Sequence, residues 1–363
     1  MESEFQLACI AIRNAVTDAG LELKDVDGFA SYMDRNEPVR LSAALGTGPL
    51  RFTGQTFGGG GNGAAAAVAL ADMAISAGYA ECVVVFRSLA QGQFYRYGQA
   101  AKARTARGRG AFTSPYGMLS AAQTCAMQTM RFMHEHGVSQ ESLAEVVLAC
   151  YAHAQRNPRA IRYGSPLTRE EYHASRWVTE PFHLYDCCPE NDGAAAIVVA
   201  SAQRARNCAK TPVAIVAAAA GLGERDGAGA FNEPGFPTAH HRYVGEQLWE
   251  RAGVKPADVP VAQFYENFSG PVLMAIAEMG FCEPEALDSY VANGGIQWPN
   301  GHLPINTAGG NLGEAYIHGF GNVVEAVRQI RGESTCQVAG AELSLSVSGP
   351  GYAPGSAVLF GKV

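Results

Sequence analysis

Apolar and polar positions follow one another in blocks that predict alternating helices and buried strands, the pattern of a layered α/β protein. A helical segment, Glu2 to Gly20, leads to a strand near Val26 to Tyr32. A glycine run follows, then the alanine-rich stretch Ala64 to Gly78, which predicts a buried helix, and a core strand over Val83 to Phe86. After the apolar run Ala194 to Ala200 the plan repeats, with a strand near Val213 to Ala219, an amphipathic stretch Val244 to Ala252 and a strand near Val261 to Tyr265. A last strand falls within Ala357 to Phe360.

The glycine run, Gly58-Gly59-Gly60-Gly61-Asn62-Gly63, is the most unusual local feature. Four consecutive glycines are costly inside a helix or strand, so they serve a turn or a close approach. A phosphate-cradling P-loop needs a lysine and Ser/Thr after the glycines, and both are absent. Two readings stay open: a structural turn, or a loop whose N–H groups, with the N-terminus of the following helix, hold a developing negative charge.

Composition narrows the class. The 363 residues are 47% hydrophobic, enough for a large core and roughly two domains. A net charge of −7 argues against a nucleic-acid binder. No apolar run reaches the ~20 residues of a membrane span, and no signal-peptide core opens the chain. The nine cysteines include no C-x-x-C pair, which fits reduced thiols in a cytoplasmic protein. Cys187 and Cys188 are adjacent and read as structural. No His/Cys/Asp/Glu grouping has zinc-site spacing, and the isolated His134, His153, His173 and His183 read as surface or core histidines.

Four segments together carry a family resemblance over nearly the whole chain. They are the glycine run with its alanine-rich helix and strand; Arg156-Asn157-Pro158 through Pro166-Leu167-Thr168 to Leu184-Tyr185-Asp186-Cys187-Cys188-Pro189 and Asp192-Gly193-Ala194-Ala195-Ala196; Tyr265-Glu266-Asn267-Phe268-Ser269; and Asn306-Thr307-Ala308-Gly309-Gly310 with Gly313-Glu314-Ala315-Tyr316-Ile317-His318-Gly319. In order and spacing they resemble the thiolase superfamily, specifically its sterol-carrier-protein-x type. The resemblance implies an α/β thiolase fold, two pseudo-twofold-related βαβαβαββ-type halves in five layers. Residues 1–205 would form the N-terminal half, with a loop insertion about 87–190 and its first strand apparently missing, and residues 206–363 the C-terminal half.

Every chemically demanding family position differs. The nucleophilic cysteine position falls on Gly60 or Gly61; the histidines of the third and fourth segments become Tyr265 and Tyr316. Where a thiolase places its second cysteine, the chain reads Ser346-Val347-Ser348-Gly349-Pro350-Gly351-Tyr352. The pattern is most similar to the thiolase-like aldolases of bacterial steroid side-chain degradation, the lipid-transfer-protein type. That resemblance implies retro-aldol cleavage of a β-hydroxyacyl-CoA bearing a 17-hydroxyl, giving a 17-ketosteroid and propionyl-CoA. It further implies a homodimer joined by two small OB-fold, zinc-ribbon chains into a heterotetramer, with zinc only in the partner, and CoA present as part of the substrate rather than as a cofactor.

Within that chemistry Tyr265, Tyr316, His318 and Tyr352 are the candidate catalytic residues, and Gly60, Gly61, Asn62, Gly349, Gly351, Glu266 and Asn267 the candidates for binding substrate or oxyanion. A tyrosine base needs a cation, for which His318 is the candidate, whereas a tyrosine donor needs none. Each tyrosine has a plainer reading as a satisfied core residue. The cations Arg87, Arg96, Lys102, Arg104, Arg107 and Arg109, with Phe94, Tyr95, Tyr97 and Tyr116, read as a solvated dimer-interface loop or as a site for the CoA phosphates. The segment Gly221 to His241 reads as substrate or partner surface. The rival functions are a thiolase or acyltransferase using Cys187, Cys282 or Cys336, a non-catalytic sterol or acyl-CoA carrier, and a scaffold subunit.

Overall fold

The computed structural model describes residues 2–57, 60–93, 107–224 and 235–363. Helix α1 (Glu4–Asp18) starts at Ser3, whose hydroxyl accepts from the Gln6 N–H, and buries Ala8, Ile12 and Val16 at helical spacing. Strand β1 (Gly28–Tyr32), helix α2 (Pro38–Leu45), strand β2 (Phe52–Thr56), helix α3 (Ala64–Ser76) and strand β3 (Cys82–Ala90) follow. Four more helical and hairpin elements precede the next sheet strand: α4 (Ala121–His136), α5 (Gln140–Ala154), α6 (Arg169–Ala174) and the small hairpin β4 (Trp177–Thr179) with β5 (Phe182–His183). Strand β6 (Asp192–Ala200) then closes the first sheet in the order β2-β1-β3-β6, parallel except for β6.

A short helix, α7 (Ala202–Ala205), leads to the second half: β7 (Val213–Gly221), α8 (Arg242–Ala252), β8 (Ala262–Phe264), α9 (Ser269–Glu278), α10 (Leu287–Val291), α11 (Gly310–Gly313), α12 (Phe320–Arg331), β9 (Leu343–Ser348) and β10 (Gly355–Lys362). The second sheet runs β7-β10-β9-β8, with β10 antiparallel to both neighbours and β8 parallel to β9. Strands β1, β3 and β6 therefore correspond to β8, β9 and β10. The position outside β6 that would match β7 holds no strand among the described residues.

Helices α3 and α12 lie between the sheets, α1 covers the outer face of the first, and α8 packs on β7 and β10 of the second. This gives five layers. Burial from both sides explains why α3 is built from Ala64, Ala65, Ala67, Val68, Ala71 and Ala74: small side chains let two sheets approach one helix.

The apolar run beginning at Cys82 continues as strand through Arg87 to Ala90, and every residue of it is buried. Arg87 is thus not the start of a loop. Of the other expected loop residues, 94–106 lie outside the described residues, while Arg107 and Tyr116 are exposed. The segment read as substrate or partner surface is corrected at its end, because His240 and His241 are both buried. Its residues 225–234 lie outside those described.

Candidate active site

The carboxyl ends of β1, β8 and β9 and the amino end of α3 converge, the customary place for chemistry in an open α/β sheet. Tyr265 leaves β8, with its N–H bonded to the Val347 carbonyl of β9. Its ring crosses the entry of α3. A Cβ placed on Gly61 would fall 1.9 Å from Tyr265 Cε2, and one on Gly319 would fall 2.4 Å from Cδ2. The ring therefore fills the space into which a side chain at 61 would project. Absence of a side chain at 61 and presence of a tyrosine at 265 are one packing decision.

Tyr316 comes from the loop between α11 and α12, where Asn191 clamps its backbone: Asn191 Oδ1 accepts from the Tyr316 N–H at 2.8 Å and Nδ2 donates to the Tyr316 carbonyl at 3.2 Å. The Tyr265 and Tyr316 hydroxyls lie 2.9 Å apart, both side chains buried, with Leu89 and Cys188 packed around them. Burial first, and the adjacent Tyr316 second, push the Tyr265 hydroxyl well above the usual tyrosine range. It is held as a proton donor rather than as a tyrosinate.

His318 stands edge-on to Tyr316, ring centroids 5.2 Å apart. It does not supply the expected cation. Its Nδ1 accepts from Arg87 Nε at 3.3 Å and lies 3.1 Å from Arg87 Nη2, and burial, followed by the Arg87 charge, lowers its pKa to about 3. The positive charge belongs to Arg87, which is bonded to Asp34 at 3.1 Å behind the histidine and is too buried to meet a solvent-borne phosphate.

The glycine run carries a second correction. The leading N–H groups of α3 are occupied, Ala65 donating to Ser348 Oγ at 3.2 Å and Ala66 to Ser356 Oγ at 3.3 Å, so the helix end is capped from within. Anion binding here would fall to the Gly60-Gly61-Asn62 backbone and to the Asn62 side chain, which is buried and whose amide atoms find no hydrogen-bond partner among the described residues. Gly58 and Gly59 lie outside the described residues. Across from Gly60 stands Pro350 of the second glycine turn, where the Pro350 carbonyl accepts from Cys125 Sγ at 3.4 Å and the Gly351 carbonyl from Gln128 Nε2 at 3.1 Å. Gly349 is required by the His241 ring, whose Cε1 would lie 2.7 Å from an added Cβ.

The remaining candidates have their polar groups engaged by other partners. Tyr352 donates to the Ala121 carbonyl at 3.4 Å and meets Cys125, so its hydroxyl is held against α4. Glu266 is fully buried and accepts from the Asn311 N–H, Asn311 Nδ2 and Asn322 Nδ2 at 2.5, 3.1 and 3.0 Å; it braces the loop that carries Tyr316 rather than facing a ligand. Asn267 folds its Oδ1 onto the Phe268 N–H at 3.0 Å. Asp34, Asn191, Cys125 and Gln128 were not among the residues expected at the site, and Arg87 was expected only as a loop cation; of the five only Arg87 had a legible signal, a cation at the end of an apolar run. Two clefts, one lined by Trp249 and Glu278 and one by Tyr151 and Arg156, lie away from the tyrosines. Among the described residues no three His, Cys, Asp or Glu side chains group to hold a metal ion, and no helix is long and apolar enough to cross a membrane.

Two matched halves in five layers define a thiolase-fold protein, here with glycine at the helix entry and a pair of tyrosines beside it. The family description "Thiolase C-terminal domain-like" matches residues 228–360. The 17-hydroxy-3-oxo-4-pregnene-20-carboxyl-CoA lyase of Mycobacterium tuberculosis is 40% identical over 99% of this chain and 94% of that protein. The steroid side-chain-cleaving aldolase of Thermomonospora curvata is 37% identical over 99% and 93%. The solved Ltp2-ChsH2(DUF35) aldolase superposes with a TM-score of 0.93 at 37% identity, covering 99% of this chain and 93% of that one. The chain belongs to the steroid side-chain-cleaving aldolases of the thiolase superfamily.

Proposed function

We propose that this chain is a carbon–carbon lyase that cleaves a steroid side-chain CoA thioester by a retro-aldol reaction, and that the tyrosine pair carries the proton. The single observation that carries this reading is the 2.9 Å contact of two buried hydroxyls above a glycine floor. A 17-hydroxyl β to the thioester carbonyl gives up its proton, the Cα–Cβ bond breaks, the 17-ketone forms, and the bonding pair passes to the thioester as an enolate. That enolate then takes a proton at Cα. A relay balances these transfers: the substrate hydroxyl proton passes to Tyr316, the Tyr316 proton to Tyr265, and the Tyr265 proton to carbon. No free tyrosinate is then required, in keeping with the raised pKa of Tyr265. Asn62 and the Gly60-Gly61 backbone are the donors proposed for the thioester oxygen, a contribution of about 3–4 kcal/mol per well-placed donor.

The acyl-transfer alternative is disfavoured by the thiols themselves. Burial pushes Cys187, Cys282 and Cys336 up to about 12, which leaves almost no thiolate at neutral pH. The two components named in the Ltp2-ChsH2(DUF35) aldolase support a partner chain here, and we extend this to a homodimer of this chain joined by two OB-fold, zinc-ribbon partners into a heterotetramer; the nine free cysteines support a cytoplasmic setting. The deciding experiment is product analysis by mass spectrometry, with partner present, of a 17-hydroxysteroid 20-carboxyl-CoA. Release of 17-ketosteroid and propionyl-CoA without added free CoA is the expected result. Bound but intact substrate would overturn the reading in favour of a carrier.

A further inference from the structure

We infer that Arg87 is a positioning residue for the cleavage reaction: by directing its N–H groups at Nδ1 of His318 it fixes that imidazole as a neutral Nε2–H donor beside Tyr316. The inference rests on the reading that the tyrosine pair moves the proton.

Its starting point is an anomaly of sequence against burial. β3 is buried along its whole length, and a guanidinium in such a strand persists only if its charge and its donors are matched. Asp34 supplies the matching charge at 3.1 Å and Glu4 approaches at 3.6 Å, while Nη1 also bonds the Ser88 carbonyl. An ion pair with Asp34 alone could have been satisfied by one nitrogen. Instead Nε and Nη2, the other edge of the fork, both face His318 Nδ1. Arginine has donors and no acceptor, so Nδ1 must present its lone pair and the ring proton must sit on Nε2.

The histidine is held on its other side as well. Its φ of 47° lies in the left-handed region that a side chain disfavours, and Tyr32 Oη donates to its carbonyl at 2.7 Å. The backbone is thereby held at the end of the Tyr316 loop, while Arg87 orients the ring and selects its tautomer. Among the described residues, the titratable groups that face His318 include Arg87 from β3, Tyr32 from β1 and Tyr316 from its own loop, with Asp34 and Glu4 behind Arg87 and Tyr265 beyond Tyr316. No carboxylate among these stands between Arg87 and the ring. The consequence is a histidine that neither accepts a proton nor competes with Tyr316 as base, and that orders the tyrosine by its fixed polarity.

The test uses the assembled enzyme and two variants. Arg87→Met combined with Asp34→Asn removes the donors without leaving Asp34 as an orphan charge; Arg87→Lys keeps a cationic donor. Histidine-specific ¹⁵N NMR reads the tautomer without substrate, and kcat and KM are followed from pH 5 to 9. The wild type is expected to show the Nε2–H form throughout. The double variant is expected to populate the Nδ1–H form, to lose about 100-fold in kcat with KM changed less than about threefold, and to gain an acidic limb near pH 6–7, with Arg87→Lys recovering about tenfold of the loss. A double variant that folds, retains the Nε2–H form and keeps wild-type kcat would overturn the inference. Should the wild type cleave no steroid thioester while its tautomer still depends on Arg87, the function proposed above fails and the positioning of His318 stands.

Discussion

Gly61→Ala is the smallest change that tests whether the tyrosine ring has replaced the nucleophile. The new Cβ would lie 1.9, 2.5 and 2.6 Å from three ring carbons of Tyr265. Carbon–carbon contact is comfortable from about 3.5 Å, so the ring must retreat by roughly 1.5 Å. Gly319 backs the ring on another side, within reach of its Cδ2, so a straight retreat is obstructed. The Tyr265–Tyr316 oxygen separation of 2.9 Å would then open past hydrogen-bond range. Overpacking of this kind costs about 1–3 kcal/mol of stability, and displacement of a reacting group by about 1 Å costs roughly 100-fold in rate. Thermal or urea unfolding and 17-ketosteroid release measure the two effects. A double-mutant cycle isolates the cause: with Tyr265→Ala there is no ring to meet, and the stability penalty of Gly61→Ala should vanish, a coupling of about 1–3 kcal/mol. A Gly61→Ala enzyme of normal rate, or a penalty that simply adds to that of Tyr265→Ala, would refute the reasoning.

Tyr265→Phe and Tyr316→Phe should each lower kcat by about 10²–10⁴-fold with substrate binding retained, as measured by isothermal titration, and the double variant should lose little more because both belong to one relay. Asn191→Ala removes both backbone bonds to Tyr316 and should lower stability by about 1–3 kcal/mol and kcat by more than tenfold; unchanged turnover in the folded variant would show that the clamp is dispensable. Glu266 has its folded pKa raised by burial to about 8, against an unfolded value of about 4.3. The folded state then holds the extra proton, so this residue's contribution to stability is fully present below about pH 4 and is lost as pH rises through about 8. Urea midpoints at pH 5, 7 and 9 should therefore fall more steeply for the wild type than for Glu266→Gln, and parallel profiles would contradict it. Incubation with substrate should leave the intact protein mass unchanged, since burial suppresses each candidate thiolate; a stable acyl adduct would restore the thiolase reading.

The alternation of apolar runs with helical stretches is local information, so α1, β1, α3, β3, β7, α8, β8 and β10 were all legible within a few residues of their ends. So were the segments that mark the superfamily and the glycines, Gly60 and Gly61, at one of which the resemblance implies a cysteine. What the chain could not display is which atoms share a space. The ring of Tyr265 and the missing side chain of residue 61 are about two hundred positions apart, and only the docking of β8 against the entry of α3 makes one explain the other. His318 looked like the cation of the site because its chemistry permits charge at neutral pH. Burial and an arginine 231 residues away in sequence decide that it is neutral. Arg87 looked like the first residue of a loop, since a cation after five apolar residues usually marks a strand's end; the acid that lets the strand continue, Asp34, lies on another segment. The helix terminus offered as an anion site was likewise closed by two serines from β9 and β10. Sequence determined the elements and the inventory of side chains because those depend on neighbours in the chain. Protonation states, vacated space and satisfied donors depend on neighbours in space, and those the tertiary structure alone assigned.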